Sequence, residues 1–270
     1  MGFNSLNYSV SVVIPVYNSG LSAVESIRSV LAQSYPISEI VVVDDGSSDD
    51  SLEILDLNFK NNPLVTIYSQ ENSGAGNART YGAMRSSADL VAFLDSDDCW
   101  ISNKIELQVA FFMRDLTIGL VGSLTNMRGN YSLINLDSNY RQITVNNLIF
   151  KNYFQTSTVL IKNNVLRDVG YFPLNRRYGD EGDLFIRIAA KYKCILLNQV
   201  LVDYAHGKAG FAVSGISSHI FSMEFYELVN LCLAFKRKNI NFFYFMNATT
   251  FSILKFVRRL LIYFKKRIIS

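Results

Sequence analysis

This chain has few of the residues that support disulfide, zinc or membrane-spanning architectures. Its 270 residues include only three cysteines, namely Cys99, Cys194 and Cys232, which are far apart and show no CxxC spacing. An odd number of cysteines excludes a closed disulfide framework and favours a reducing compartment. The first 18 residues lack a basic segment followed by a long apolar stretch, so we expect no secretory signal. The longest uncharged run in the last 35 residues, 239–254, has 16 residues, fewer than the ~20 that a transmembrane helix needs.

The charges of the chain are distributed unevenly. The net charge is +3, yet the last 35 residues, from Lys236 onward, hold nine Lys or Arg and no Asp or Glu. The remainder carries 17 basic against 23 acidic residues. An acidic body with a cationic tail predicts that the tail contacts an anionic surface. A hydrophobic content of 49% and a charged content of 18% are typical of a folded protein.

The first hundred residues alternate between strand and helix patterns. Short β-branched runs predict buried strands, and apolar residues at helical spacing separate them. The strands are expected at 10–16, 40–43, 64–69 and 90–94, and further strands at 119–124, 156–161 and 194–203. Continuous apolar strands separated by helices indicate a mostly parallel sheet covered on both faces, an α/β fold. Such sheets bind ligands in the loops at the carboxyl ends of their strands.

Three of these loops carry polar motifs. Asp95 and Asp97 follow a buried strand. Two carboxylates at a strand end can hold a divalent metal together with a diphosphate. The alternative is an acidic turn in which Asp98 caps the next helix. Asp45 ends a second strand, where a carboxylate can accept hydrogen bonds from a base or a ribose, or form a turn. Tyr17 follows the first strand and can stack on a pyrimidine or belong to the core.

Together these loops resemble the family-2 glycosyltransferases of the GT-A fold. The resemblance rests on Val13-Ile-Pro-Val-Tyr-Asn18, Val43-Asp-Asp-Gly-Ser47, Asn72-Ser-Gly-Ala-Gly-Asn-Ala-Arg79 and Phe93-Leu-Asp-Ser-Asp-Asp98. It implies a Rossmann-like nucleotide-diphospho-sugar transferase sandwich that binds a nucleotide-sugar, with UDP favoured. It also implies the following roles: Pro15, Tyr17 and Asp45 contact the uracil and ribose, Asn72, Gly74 and Arg79 lie near the nucleotide or its phosphates, and Asp95 and Asp97 form a DxD motif that holds Mn²⁺ or Mg²⁺.

The resemblance continues more weakly to about residue 207. The segment 179–187 is similar to the acidic segment that contains the family's general base, but its first pair is inverted. By position Glu181 is the base, and Asp180 stays a candidate, because a base must remove a proton from the acceptor hydroxyl. Asp183 is expected to cap the helix or orient the acceptor. The segment around His206 resembles a Tyr-x-x-His motif, which implies that this histidine ligates the metal or touches the diphosphate.

The predicted protein is therefore an inverting, metal-dependent transferase acting on a glycan or lipid-linked acceptor in surface-polysaccharide synthesis. We expect a catalytic domain over 1–235, with a nucleotide-binding half (1–100) and an acceptor half (101–235), and a basic amphipathic helical tail over 236–270. In the tail, apolar residues recur at helical spacing and basic residues lie opposite them: Ile253, Val257, Leu260, Leu261, Phe264 and Ile268 against Lys255, Arg258, Arg259 and Lys266. This pattern predicts a helix lying on an anionic membrane, at its cytoplasmic face. The alternative is a helix packed on the catalytic domain.

Other functional classes fit less well. A nucleotidyltransferase needs a glycine-rich, basic loop after the first strand, and the loop 17–22 has no Lys or Arg. A dehydrogenase needs GxGxxG after that strand, which is absent. Nucleic acid is not expected as a partner, because the tail also has an apolar face. A non-catalytic nucleotide-sugar-binding or scaffold protein of the same fold is favoured only by the inverted Asp180-Glu181 pair.

Overall fold

A computed structural model of the chain describes residues 8–126, 139–204 and 220–269, with side chains to Leu261. The first half alternates strands and helices as the sequence predicts. Its elements, in chain order, are β1 (Val10–Val16), α1 (Gly20–Leu31), β2 (Glu39–Asp44), α2 (Ser51–Phe59), β3 (Val65–Ser69), α3 (Ala75–Arg85), β4 (Leu90–Phe93), β5 (Cys99–Trp100) and α4 (Lys104–Arg114).

The second half contains shorter strands and more helix. Its elements are β6 (Ile118–Thr125), β7 (Tyr140–Ile143), α5 (Val145–Leu148), a 3₁₀ turn (Thr156–Thr158), β8 (Leu160–Lys162), α6 (Asn163–Val169), α7 (Asp180–Lys191), β9 (Lys193–Asp203), α8 (Ile220–Lys236) and α9 (Phe242–Ile269). No helix among the described residues combines the length and the apolar character needed to cross a bilayer.

One sheet joins the two halves in the order β3-β2-β1-β4-β8-β6-β9-β5, and β7 also pairs with β9. Strands β1 to β4 are parallel, which brings their carboxyl ends to one edge. Beyond β4 the sheet is mixed, because β8 runs antiparallel to both β4 and β6. The predicted α/β class is confirmed, and its parallel part is the part that carries the motifs.

Both faces of the parallel part are buried, as continuous apolar strands predict. Val13 and Val43 belong to a core that α3 and α7 cover, whereas Ile14 and Val42 belong to a second core that α1 covers. Because successive strand residues point to opposite faces, each strand contributes to both cores. The strand ends are thereby fixed, and only the loops beyond them remain free to bind a ligand.

Two predicted elements differ from those observed, and one long helix was not predicted. The segment 156–161, predicted as one strand, begins with the 3₁₀ turn and becomes β8 only at Leu160. Helix α7 begins at Asp180, so Asp183, expected as a possible cap, lies inside the helix. The long helix α8 had no sequence prediction of its own, because its apolar residues are not confined to one helical face.

Helices α8 and α9 pack against each other and α8 packs on α7. The predicted division at residue 236 therefore falls at the turn of a helical hairpin, at the last residue of α8. Two predicted tail cations point into the protein instead of away from it: Lys255 donates to Glu227 at 2.6 Å, and Arg259 donates to Glu224 at 3.2 Å. The expected free basic face of α9 is thus wrong for these two residues, since carboxylates on α8 neutralise them.

Candidate active site

The loops after β1 and β2 are hydrogen-bonded to each other. The backbone N–H of Asn18 donates to the Ser47 hydroxyl at 2.9 Å, and the Asn18 side chain accepts from the Ser48 N–H at 2.8 Å. Pro15 lies within β1, opposite Val43 of β2. Tyr17 is 51% exposed, so its ring stands at the open edge of the sheet and not in the core. This placement leaves the ring able to stack on a planar ligand.

Asp45 is buried and organises the loop before α3. Its carboxylate accepts hydrogen bonds from the Gln70 side chain at 2.7 Å and from the backbone N–H groups of Ser73 and Gly74 at 2.9 and 2.8 Å. Gly74 has a φ of 93°, a left-handed conformation that glycine adopts without strain. Since two carboxylate oxygens offer about four lone pairs, Asp45 keeps room for one further donor. It therefore both shapes the loop and can accept from a ligand.

The three carboxylates after β4 face different environments. Asp95 is half-buried and Asp97 is exposed, whereas Asp98 is buried. Asp98 accepts a hydrogen bond from the Ser157 hydroxyl. It does not cap the next helix, because α4 begins at Lys104 and Asn103 precedes it. Asp95 and Asp97 are thus the two carboxylates at the open side of this loop.

Ser157 joins this acidic loop to the 3₁₀ turn. Its hydroxyl accepts from the Asp95 N–H at 3.0 Å, and its carbonyl accepts from the Trp100 indole N–H at 2.9 Å. Ser157 and Trp100 are both buried, so these bonds are protected from water. Sequence analysis missed Ser157, because no motif near Thr156 predicts a contact with a loop about 60 positions earlier in the chain.

Arg79 links the acidic loop to the start of α7. Its guanidinium is buried and donates to Asp95 at 2.6 Å, and a second nitrogen lies 3.7 Å from Asp180. Burial lowers the pKa of Arg79, but the charges of Asp95 and Asp180 outweigh burial and hold that pKa above its ordinary value. Arg79 therefore stays cationic between two carboxylates, one in the acidic loop and one at the start of α7.

The acidic pair at the start of α7 lies against the first turn of α3. A Cβ atom added at Gly76 would stand 2.4 Å from an Asp180 carboxylate oxygen, so only glycine permits this approach. Asp180 is buried and Glu181 is half-buried. Burial first, and then the charge and hydrogen bond of Asp180, raise the pKa of Glu181 to about 8. The structure thus places both predicted base candidates beside Arg79.

Asp183 does not have the role that the sequence suggested. Its carboxylate is buried and pairs with Arg187 at 2.8 Å and with Arg237 at 2.5 Å. The residue before the first turn of α7 is Gly179, with a φ of 62°. Asp183 is therefore neither the helix cap nor open to an acceptor. It holds α7 to the end of α8.

Asn230 of α8 is hydrogen-bonded to the turn directly before the acidic pair. Its amide donates to the Gly179 carbonyl at 2.8 Å, and its oxygen accepts from Arg176 at 2.8 Å. Asn230 is buried, and it lies about 50 positions after the turn it contacts. Its neighbours in sequence are apolar, so no local motif could identify it.

The residues that could hold a metal are two carboxylates at the open loop. The described residues contain no group of three or more His, Cys, Asp or Glu arranged to hold an ion, and His206 lies outside the described residues. Asp95 and Asp97 nevertheless fit Mg²⁺ or Mn²⁺, since such ions are commonly bound by one or two carboxylates plus substrate phosphates. The negative charge here also acts on Tyr204, which directly follows β9: burial, and then Asp98, Asp97 and Asp95, raise its pKa to about 12.

Comparison with known proteins identifies a family over most of the described sheet. The family described as "Glycosyl transferase family 2" matches residues 11–182. The chain is 36% identical over 132 residues to "UDP-Glc:alpha-D-GlcNAc-diphosphoundecaprenol beta-1,3-glucosyltransferase WfgD" of Escherichia coli, covering 49% of each protein. It is 42% identical over 105 residues to "Putative teichuronic acid biosynthesis glycosyltransferase TuaG" of Bacillus subtilis (strain 168), covering 38% of this chain and 42% of that protein. The match thus spans about half of each relative.

A solved structure supports the same fold. The mannosyltransferase PcManGT from Pyrobaculum calidifontis, in complex with GDP-Man and Mn²⁺, superposes with a TM-score of 0.69 at 20% identity. The superposition covers 86% of this chain and 65% of that one. At this identity the likeness concerns the fold alone. It shows a shared architecture that includes the second half, beyond the segment on which the sequence motifs lie.

Proposed function

The chain belongs to glycosyl transferase family 2, and from that premise we propose that it transfers a sugar from a nucleotide-sugar to a hydroxyl group of a glycan or lipid-linked acceptor. The observation that carries the proposal is the Arg79 bridge. One buried guanidinium contacts Asp95 at 2.6 Å and lies 3.7 Å from Asp180. It thereby ties the loop suited to a diphosphate to the pair suited to a base. A transferase needs these two functions side by side.

Glu181 is the proposed general base, which removes the proton of the acceptor hydroxyl. Its pKa is raised to about 8 by burial and by Asp180, which makes its carboxylate a stronger proton acceptor than an ordinary glutamate. Asp180 lies closer to Arg79 and is the buried member of the pair. We therefore assign Asp180 to holding Arg79 and Glu181 to the proton transfer, with inversion at the anomeric carbon as the expected outcome.

The acidic loop is the proposed metal site. Asp95 and Asp97 would hold Mn²⁺ or Mg²⁺ together with the donor diphosphate, and the ion would neutralise the charge of the leaving nucleoside diphosphate. The chain's own part is to keep these two carboxylates at the open edge. Ser157 does this through the Asp95 N–H and the Asp98 carboxylate. His206 stays a proposed third ligand.

The proposed donor is a UDP-sugar. The strand-end loops supply an exposed aromatic ring at Tyr17 and a carboxylate at Asp45 that has accepting capacity left, which suits a pyrimidine and a ribose. Asn72 and Gly74 lie in the loop that Asp45 shapes. The name of the Escherichia coli relative contains UDP-Glc and a diphosphoundecaprenol acceptor, which supports a UDP-sugar donor and a lipid-linked acceptor here as well.

A donor panel tests this function directly. Purified protein with Mn²⁺ is given UDP- and GDP-sugars and a lipid-linked acceptor analogue, and release of nucleoside diphosphate is measured. We expect release from one UDP-sugar, its loss in EDTA, and its loss in Asp97→Ala. Asp168→Asn is the matched control, because Asp168 is a carboxylate paired with Lys191 on the surface. Full turnover in excess EDTA would remove the metal from the proposal, and no release from any donor would remove the function.

We further propose that α9 attaches the protein to a membrane surface through its apolar face. Lys255 and Arg259 point toward α8, and large apolar side chains lie on the outer side of α9. The exposed ones among the described side chains are Phe242, Phe243, Met246, Phe251, Ile253, Leu254, Val257 and Leu261. An amphipathic helix with such a face is suited to lie in the interface of a bilayer. The exposed cations Lys236, Lys238 and Arg258 would assist on anionic lipid.

A non-catalytic binding protein of the same fold is the alternative. Nothing in the cleft favours it over an enzyme, because both base candidates and both metal candidates lie at one edge of the sheet. The alternative predicts donor binding without turnover. The donor panel separates the two, since binding and release are measured on the same protein.

A further inference from the structure

The helical hairpin and the acidic pair meet at one buried amide. Asn230 of α8 donates to the carbonyl of Gly179, the residue directly before Asp180 and Glu181, at 2.8 Å. The same side chain accepts from Arg176 at 2.8 Å. Both hydrogen-bonding ends of the amide are thereby used, one on each side of the turn that leads into α7.

This turn needs such support because its backbone is unusual. Gly179 has a φ of 62°, and the residues that follow it form the first turn of α7. Close packing leaves the turn little freedom, since a Cβ atom at Gly179 would stand 3.2 Å from Tyr226 and 3.3 Å from the Asn230 amide nitrogen. A Cβ atom at Gly182, one residue after Glu181, would stand 3.1 Å from that same nitrogen. Asn230 therefore contacts the backbone on both sides of the acidic pair.

Few other polar contacts among the described residues join this turn to α8. Arg176 stacks over the Tyr226 ring at 4.7 Å, and its Nε is buried without a hydrogen-bond partner among the described residues. Its bond to Asn230 therefore fixes the Arg176 guanidinium in place. About two turns after Asn230, directly after the last residue of α8, Arg237 holds Asp183. Both polar contacts attach the start of α7 to α8, and not to the sheet.

We propose that Asn230 is a positioning residue that sets the orientation of Glu181, so that α8 is part of the active site. This inference rests on the proposed function, because it assumes that Glu181 acts on the acceptor. The donor is bound by loops on β1 to β4, which Asn230 does not touch. Loss of the amide should therefore slow the chemical step and leave donor binding unchanged.

Asn230→Asp tests the inference in the full-length protein. Aspartate has nearly the same shape and keeps an acceptor for Arg176, but it cannot donate to the Gly179 carbonyl. We expect kcat to fall at least tenfold, while the donor KM and the calorimetric Kd for UDP with Mn²⁺ stay within twofold of wild type. Gly179→Ala disturbs the same contact from the opposite side and should show the same split. Cys232→Ser, an exposed position on the same helix, is the matched control and should change nothing.

The outcomes separate this inference from the function on which it rests. A fall in kcat at constant donor KM in both variants supports the positioning role. An unchanged kcat in Asn230→Asp, or an equal loss of donor affinity, would overturn it while the transferase function stands. A wild-type protein that releases nucleoside diphosphate from no donor would overturn the proposed function and, with it, this role for Asn230.

Discussion

The strand-end loops and the C-terminal hairpin place charge in opposite ways. In the parallel part of the sheet, apolar residues are buried on both faces. The loops after β1 to β4 carry carboxylates such as Asp97 at the open edge. In the hairpin, carboxylates of α8 and cations of α9 face each other, and large apolar residues such as Phe243 and Leu254 are exposed. The loops are the proposed site for a small polar ligand. The hairpin is the proposed surface for an apolar partner.

This difference shows what holds each region together. The sheet is stabilised by burial of apolar area, the dominant favourable contribution to folding. The hairpin is held partly by polar contacts, such as the one from the Ser252 hydroxyl to Glu224 at 2.8 Å. A contiguous exposed apolar face is rare on a protein that acts alone in water. We therefore expect variants in the two regions to separate catalysis from attachment, except at the contacts where the regions meet.

The largest expected effect is on the base. Glu181→Gln keeps the size of the side chain and removes the proton acceptor, so kcat should fall by about 10²–10⁴-fold with the donor KM nearly unchanged. The measurement is steady-state kinetics with donor and acceptor varied separately. Asp180→Asn is the informative counterpart. If Asp180→Asn abolishes turnover and Glu181→Gln keeps it, the two roles are exchanged.

A methyl group at Gly76 should be almost as harmful. The added Cβ of Gly76→Ala would stand 2.4 Å from the Asp180 carboxylate, so the acidic pair must move. A displacement of about 1 Å in a catalytic group can cost on the order of 10²-fold in rate. Gly82→Ala, on the same helix, is the control: its Cβ would meet Val13 in the core at 2.4 Å. It should lower the free energy of unfolding by ~1–3 kcal/mol and leave kcat of the folded fraction unchanged.

Sequence reasoning located the strand-end loops because each of the quoted motifs directly follows a strand. Asp45 and Asp95 can be identified from the sequence in this way, because a buried β-branched run indicates where the strand ends and which edge of the sheet that end reaches. Ser157 and Asn230 cannot be identified from the sequence, because each is hydrogen-bonded to a backbone group about 50 to 60 positions away. The pairing of these segments is decided by tertiary packing, which no local pattern records.

In the hairpin, the sequence predicted a helix but not which of its faces is exposed. Periodicity predicted a helix with one apolar and one basic face, and α9 is such a helix. Its rotation could not be predicted, because it depends on Glu224 and Glu227, which lie in a helix that had no sequence prediction. Once these carboxylates are present, Lys255 and Arg259 turn toward them, and the apolar face turns outward.

Attachment should depend on apolar area more than on charge. Leu254→Glu removes an exposed apolar side chain worth ~1.5–3 kcal/mol when buried, so partition onto liposomes should fall about tenfold or more. Arg258→Gln, also exposed on α9, should have a smaller effect, limited to anionic vesicles at low salt. The measurement is flotation with neutral and anionic vesicles at low and high salt. Equal binding by wild type and Leu254→Glu would refute attachment through this face.

The smallest expected effect is on the pH dependence of stability, and it concerns the residue that lies between the two regions. The pKa of Glu181 is raised to about 8 in the folded protein, first by burial and then by Asp180, whereas an unfolded glutamate titrates near pH ~4.3. Between these values the folded state binds more protons than the unfolded state, so stability should decrease as the pH rises from 5 to 8. Besides Asp180, the charged and titratable groups that act with Glu181 are Arg79 from α3 and Tyr204, directly after β9. Glu181→Gln removes this titration, so the melting temperature of the variant should fall less than that of wild type between pH 5 and pH 8. Each kcal/mol by which the free energy of unfolding changes corresponds to a shift on the order of 2–4 °C. Parallel melting curves of the two proteins from pH 5 to pH 8 would contradict the raised pKa, and with it the proton-accepting strength assigned to Glu181.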